Sequence, residues 1–372
     1  MTAPPQNIII LGGGIAGVTT AYFLSVSPHR DPSTRITLVE GSRIAAGASG
    51  YSGGFLAKDW HGSATASLAA MSFDLHAKLA KEFGGEKWGY RTVDTLSITT
   101  DATRKSKKAA PIHWLPEGLV HASRALGDHT TTAQVHPGLF TKFFAEQFLS
   151  KPNTSLVIGT ATSMKLSPST QRPESVSVDG NEVAGDVVVI AAGPWSGKLA
   201  VELLGKDLGG KLGIEGHRAH SVVLKTKDTL TPHCLFTNMT LKDGSMGEPE
   251  LYTRPDGTTY ICGAGDAEPL PERADQVKPD PEAIAKLLAE TRALSPVFSA
   301  QSADTLAEQA CFLPIPTRGR PLVGKVRGVE GVYIGGGLSC WGITQGPGTG
   351  LVLSELILEG KVKSADISKL SP

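Results

Sequence analysis

Gly12, Gly14 and Gly17 stand in the spacing G-x-G-x-x-G directly after the apolar run Asn7 to Leu11, and Glu40 closes a second apolar run that begins at Ile36. These residue types at these positions can hold a dinucleotide. Gly12 permits a tight turn, Gly14 leaves room for a pyrophosphate, and Gly17 lets a helix pack closely on a sheet. Phosphate oxygens would meet the free N–H groups where that helix begins. A carboxylate at Glu40 can accept hydrogen bonds from both ribose hydroxyls and would repel a ribose phosphate, which disfavours NADP. Taken alone, the segment does not separate FAD from NAD.

No Ser-His-Asp arrangement or metal-ligand spacing accompanies these residues. Cys234, Cys262, Cys311 and Cys340 are widely spaced, with no CxxC pair and no zinc pattern. They read as four reduced, mostly buried thiols, and no metal site is expected.

The elements that must position the glycines and Glu40 form a strand, helix, strand unit. Asn7 to Leu11 reads as a buried parallel strand, and Ile15, Val18, Tyr22 and Val26 recur at helical spacing until Pro28. Gly47 to Gly54 is too rich in small residues for an ordinary helix interior and reads as a loop approached by something flat or by another backbone. Ser67 to Phe83 and Pro137 to Leu149 read as helices, with an irregular stretch from Lys105 to Thr132 between them. Asp186 to Ala192 reads as a core strand, His220 to Gly265 as several short strands, and Gly346 to Leu358 as a final helix.

With 372 residues the chain can bury a large core and form two lobes. Its 36 basic and 36 acidic residues balance, which gives no reason to expect nucleic acid as a partner. No signal peptide or membrane-spanning run is apparent, so the expectation is a cytoplasmic protein.

Further along, the residues resemble a known family. Ile8 to Gly17 with Glu40, Arg43 to Gly54, Val187 to Ser196, Tyr252-x-Arg254-Pro255 with Gly257, Tyr260 and Gly263, Pro314 to Gly324, and Gly331 to Gly350 occur in order. In that order the chain resembles the D-amino-acid-oxidase-like superfamily of FAD-dependent oxidoreductases, which includes glycine and sarcosine oxidases. The resemblance implies an α/β fold with a Rossmann-type FAD-binding domain assembled from residues 1–90, 133–210 and 311–372. A mixed or antiparallel substrate domain, residues 91–132 and 211–310, would be inserted in it.

The resemblance also implies a set of FAD contacts: Gly12, Gly14, Ile15, Ala16, Gly17, Glu40, Gly41, Ser42, Arg43, Ala48, Ser49, Gly53, Gly54, Ala192, Gly193, Trp195, Gly342, Ile343 and Thr344. N–H groups from Gly346 to Thr349, at the start of the last helix, would stabilise negative charge at the pyrimidine end of the flavin. The implied reaction moves a hydride from a carbon bearing an amine to flavin N5, and the substrate is a small amine or amino acid. Family members that take amino acids hold the carboxylate with arginine, which makes Arg254, Arg318 and Arg320 candidates, with His217, Arg218 and His61 as secondary ones.

Two departures accompany the resemblance. The lysine that the sarcosine-oxidase branch carries near Tyr260 to Gly263 is missing, and Arg318 stands where the family has an aspartate. Cys311 falls near a position where that branch attaches FAD covalently. An alternative is therefore an FAD-containing regulatory or trafficking protein with little turnover, which would have a protein partner.

Overall fold

A computed structural model describes residues 5–372; the first four residues of the expected FAD-binding segment lie outside the described residues. The fold is mixed α/β. Its central sheet has six strands in the order Leu322–Lys325, Val332–Gly336, Val187–Ile190, Asn7–Leu11, Arg35–Glu40 and Thr154–Ile158. All neighbours run parallel except Leu322–Lys325 against Val332–Gly336.

Parallel strands must be covered on both faces, and the sequence supplies this with continuous apolar runs. Ile8 and Ile10 enter one core with the helices Ile15–Val26, Ala66–Phe83 and Pro137–Leu149. Ile9 and Leu11 enter another, with Ala200 and Leu203 of the helix Ser196–Gly209 and with Ala161, Val176 and Val178 of a three-stranded sheet.

The helix Ile15–Val26 is enclosed on all sides. Every residue from Ile15 to Ser25 is buried, because the last helix covers the side that would otherwise meet water. A Cβ on Gly350 would lie 2.5 Å from the carbonyl carbon of Thr19, and one on Gly346 would lie 2.8 Å from the Ile15 side chain. Small residues in the last helix are what allow this approach.

That last helix runs from Gly342 to Glu359, beginning a full turn before the expected Gly346. Pro347 sits inside it and cannot donate to the carbonyl of Ile343, four residues earlier. The neighbouring helix Ala66–Phe83 repairs the break. His76 Nε2 lies 2.8 Å from the Ile343 carbonyl oxygen. Ser72 Oγ donates to the Thr344 carbonyl at 2.6 Å and accepts from Gly348 N at 2.8 Å. Two polar side chains on one helix face thus replace the hydrogen bonds that proline removes.

The second large sheet has eight strands, with Ala303–Pro316, Ile214–Thr226, Thr258–Asp266, Glu250–Thr253, His233–Thr240, Asp94–Asp101 and Val120–Gly127 in order, and the short Met246–Gly247 at its edge. It is antiparallel except where His233–Thr240 meets Asp94–Asp101. These strands are longer than the short ones expected, and Val120–Gly127 lies within the stretch expected to be irregular. Ala303–Pro316 stays paired with Ile214–Thr226 throughout, so it continues past residue 310. Leu235, Leu251, Ile261 and Val222 point to one face and pack on the helix Pro281–Leu294 through Ile284 and Leu287. The opposite face looks toward the small-residue segment after Glu40.

Candidate functional site

A cavity of about 500 Å³ opens where the parallel strands end, the place where an open α/β sheet binds ligands. Gly12, Gly14, Ile15, Ala16, Glu40, Gly41, Ala48, Ser49, Ala192, Gly193, Trp195, Gly342 and Ile343 line it. The glycines act as their spacing requires. Gly12 has φ +121°, and a Cβ there would lie 2.4 Å from the Ala191 carbonyl oxygen. A Cβ on Gly17 would lie 1.9 Å from the Gly12 carbonyl oxygen, so the turn and the helix must both be bare.

Glu40 is anchored before any ligand arrives. Its carboxylate accepts from Gly13 N at 2.8 Å and from Ser42 N at 3.0 Å. A carboxylate has about four acceptor positions, so capacity is left for ribose hydroxyls. At the start of the first helix, Ser49 Oγ accepts from Ile15 N at 2.8 Å, which ties the segment after Glu40 to the phosphate-binding turn. Ala48–Tyr51 forms a short helical turn where a loop was expected.

Six expected cofactor residues shape the cavity without lining it. Gly17 packs on the turn. The Ser42 hydroxyl donates to Glu40 at 3.3 Å, and Arg43 donates to the Tyr51 hydroxyl at 2.6 Å. A Cβ on Gly53 would meet the Tyr252 ring at 2.3 Å, and Gly54 has φ +87° with the Val135 carbonyl 1.9 Å from a Cβ position. The Thr344 hydroxyl is turned away, donating to the Phe55 carbonyl at 3.3 Å.

The residues expected to face substrate are mostly committed elsewhere. Arg254 lies over the Tyr260 ring at 5.2 Å and directs its guanidinium at the Ser52 and Gly53 carbonyls, 3.3 and 3.4 Å away. Arg218 is paired with Asp266 at 2.8 Å. Arg318 donates to the Ser371 carbonyl at 2.5 Å, and Arg320 is exposed on the same turn, so this segment faces the C-terminal residues. His217 is an exposed strand residue. His61 sits beside Trp341, ring centroids 4.5 Å apart, with Nε2 2.9 Å from the Ala57 carbonyl, and burial lowers its pKa.

Gly346 to Thr349 do not present free N–H groups, since they lie a turn inside the last helix and are buried. The open end of that helix belongs to Gly342 and Ile343, which line the cavity. Cys311 does not line it. It is 5% exposed on the strand Ala303–Pro316, and burial pushes its thiol up to about 12. Flavin attachment requires an accessible thiolate, so acid precipitation of the holoprotein is expected to leave the yellow colour in the supernatant. Colour retained by the precipitated chain would contradict this. Cys340, by contrast, is exposed and lines the cavity, against the expectation of mostly buried thiols.

Sequence reasoning missed Gly159 to Thr162, Lys198, Arg273, Leu313, Pro314 and Ser339 as lining residues. The first group was within reach: it follows the C-terminal end of the parallel strand Thr154–Ile158, where such a crevice lies. Among the described residues, no group of histidine, cysteine and carboxylate side chains could hold a metal ion, and no helix is long and apolar enough to cross a membrane.

A bare glycine turn opening a buried helix, a carboxylate at the next strand end and small residues lining the crevice define a dinucleotide-binding protein. The Ser52 hydroxyl, buried without a hydrogen-bond partner among the described residues although Ser52 lines the cavity, fits a polar ligand there. The chain belongs to the FAD dependent oxidoreductase family, whose model matches residues 7–356. FAD is accordingly its cofactor.

Among curated proteins it is 36% identical to a putative oxidoreductase, C1F5.03c, of Schizosaccharomyces pombe, covering 99% of this chain and 98% of that one. Its fold is similar to that of glycine oxidase from Bacillus cereus, with a TM-score of 0.78, 19% identity and 99% of both chains covered. L-proline dehydrogenase from P. horikoshii also has a TM-score of 0.78, at 18% identity, with 100% of this chain and 98% of that one covered.

Proposed function

We propose that this protein oxidises the C–N bond of a small amine or amino acid. The observation that carries the reading is the meeting of two surfaces. Ser52, Cys340 and Gly342 line the cavity that suits FAD, and a Cβ at Gly53, next to Ser52, would touch the Tyr252 ring of the eight-stranded sheet. A substrate held on that sheet would lie against the redox-active end of the cofactor.

When bound, FAD would supply a two-electron acceptor for a hydride from the carbon bearing a neutral amine nitrogen, leaving an iminium ion that water hydrolyses. The protein's part is binding and orientation. With the Gly13 and Ile15 amides engaged by Glu40 and Ser49, the phosphates would be held at the bare turn and helix start around Gly14, and the ribose by the Glu40 carboxylate. The open N-terminus of the helix Gly342–Glu359 provides positive partial charge beside the ring site, where negative charge develops. The buried rings of Tyr252 and Tyr260, with the half-buried Phe55 stacked on Tyr252, make that side apolar.

Anaerobic mixing of the holoprotein with a panel of amines and amino acids tests the reading. Loss of the oxidised flavin absorbance with at least one of them is expected. An unchanged spectrum across the panel, together with a stable complex with another protein, would favour a regulatory flavoprotein.

A further inference from the structure

The face of the eight-stranded sheet that meets the cofactor lobe carries one carboxylate among aromatic rings. Strand register places Phe236 opposite Glu250 and Glu250 opposite Cys262, with Tyr252 beside Tyr260 in the adjacent row. Side chains alternate along a strand, and Leu235, Leu251 and Ile261 occupy the other face. Glu250 and its neighbours therefore point toward the cofactor lobe.

Rings from that lobe complete the surface. Phe55 stacks on Tyr252 with centroids 5.7 Å apart, and Trp60 packs on Phe236 at 5.3 Å and on Trp341 at 6.2 Å. Trp341 directly precedes the open end of the last helix.

Glu250 has polar support but no cation. The Tyr252 hydroxyl donates to its Oε2, and Cys262 Sγ lies 3.7 Å from the same oxygen. No basic side chain among the described residues is ion-paired with it. Burial raises the Glu250 pKa while those two donors oppose the rise, as for a carboxylate poised to gain a partner. Trp341, packed on Trp60, lies in the chain between Cys340 and Gly342, both of which line the cavity.

Among the described residues, the arginines on this side of the sheet already contact protein carbonyls or carboxylates, Arg91 donating to the Thr253 carbonyl at 2.7 Å. Arg254 and Arg218 are committed to backbone carbonyls and to Asp266, while Arg318 and Arg320 lie toward the C-terminus. Lys198 and Arg273, the basic residues that line the cavity, are paired with Glu272 at 2.6 Å and Asp275 at 2.5 Å.

We infer that this site selects a cationic amine that lacks a carboxylate, with the ammonium held by Glu250 and the faces of Phe236 and Trp60. The inference rests on the proposed C–N oxidation and narrows its substrate class. Aromatic faces attract ammonium groups, more strongly when water is excluded, and Glu250 would repel the carboxylate of an amino acid.

Tetramethylammonium, which cannot be oxidised by hydride loss to an imine, separates binding from turnover. At fixed ionic strength, titrating the holoprotein with it is expected to perturb the flavin spectrum saturably. Glycine betaine, the same cation with a carboxylate, is expected to bind about tenfold more weakly or worse. Glu250→Gln and Trp60→Leu should each weaken tetramethylammonium binding by about tenfold, with FAD content unchanged.

Equal or tighter binding of betaine, no perturbation by tetramethylammonium, or unaltered binding in Glu250→Gln would overturn the inference. If tetramethylammonium binds as expected but no amine bleaches the flavin, the cation site stands and the proposed oxidation fails. Bleaching by amino acids without tetramethylammonium binding would leave the oxidation standing and sink the cation site.

Discussion

Glu40→Ala is expected to emerge from purification largely colourless and to bind added FAD about 100- to 1,000-fold more weakly than the wild type. Two charge-assisted hydrogen bonds to ribose hydroxyls contribute about 1.5–3 kcal/mol each, and about 1.4 kcal/mol corresponds to tenfold in affinity. Deletion of the ribose contacts alone would give a loss of that order. Glu40 also anchors Gly13 N and Ser42 N, so its removal loosens the turn that must present amides to phosphate. Glu40→Gln keeps acceptor oxygen on one side only and should fall between the two proteins. The measurement is quenching of FAD fluorescence on titration with apoprotein. An affinity for FAD within about threefold of wild type in Glu40→Ala would show that the carboxylate does not hold the ribose.

Acid should destabilise the folded protein through His76, well before general loss of carboxylate charge. The Ile343 carbonyl requires Nε2 to be the donor, and Nδ1 is buried without a partner. A second proton would therefore place an unpaired charge in the core. Burial brings the His76 pKa from 6.5 down to about 4. Between those values the unfolded chain binds a proton that the folded chain refuses, so acid favours unfolding. The stabilising contribution is full above about pH 6.5 and is lost as pH falls toward 4, on the order of 3 kcal/mol in all.

His76→Gln retains a side-chain donor for the Ile343 carbonyl but does not titrate. Urea midpoints measured from pH 7 to 4.5 should fall less steeply in this variant than in the wild type. Some slope will remain, because burial foremost, and then the Arg254 guanidinium, also hold His136 down to about 4. Equal slopes for the two proteins would contradict the assignment. Flavin release should follow the same acid profile in the wild type, since His76 supports the helix turn that begins at Gly342.

These two residues differ in how readable they were. Glu40 follows from sequence because its role depends on local order: a strand, a bare turn, a helix, and a carboxylate where the next strand ends. His76 does not. Its importance arises from Pro347, a residue 271 positions away in the chain, whose missing N–H frees the Ile343 carbonyl it answers. A proline within a small-residue helix reads locally as a late helix start, and the expected Gly346 boundary followed from that.

The contacts that the arginines make were hidden for a related reason. Residue type made Arg254, Arg218 and Arg318 suitable for a carboxylate, but their partners, the Ser52 and Gly53 carbonyls, Asp266 and the Ser371 carbonyl, come from distant segments. Glu250 drew no attention, because one acidic residue between a proline and a leucine carries no motif. Only the register with Phe236 and Cys262, and the arrival of Trp60 from the other lobe, give it a setting.

The most direct test of the account is stoichiometric FAD titration of the purified apoprotein, with Gly17→Ala beside it. The wild type is expected to take up one FAD per chain and develop a protein-bound flavin spectrum. Gly17→Ala, in which the new methyl group must displace the Gly12 carbonyl, is expected to take up little or none. Folded wild-type protein that fails to take up FAD, or a Gly17→Ala protein that binds it as tightly, would contradict a phosphate site at the start of the first helix.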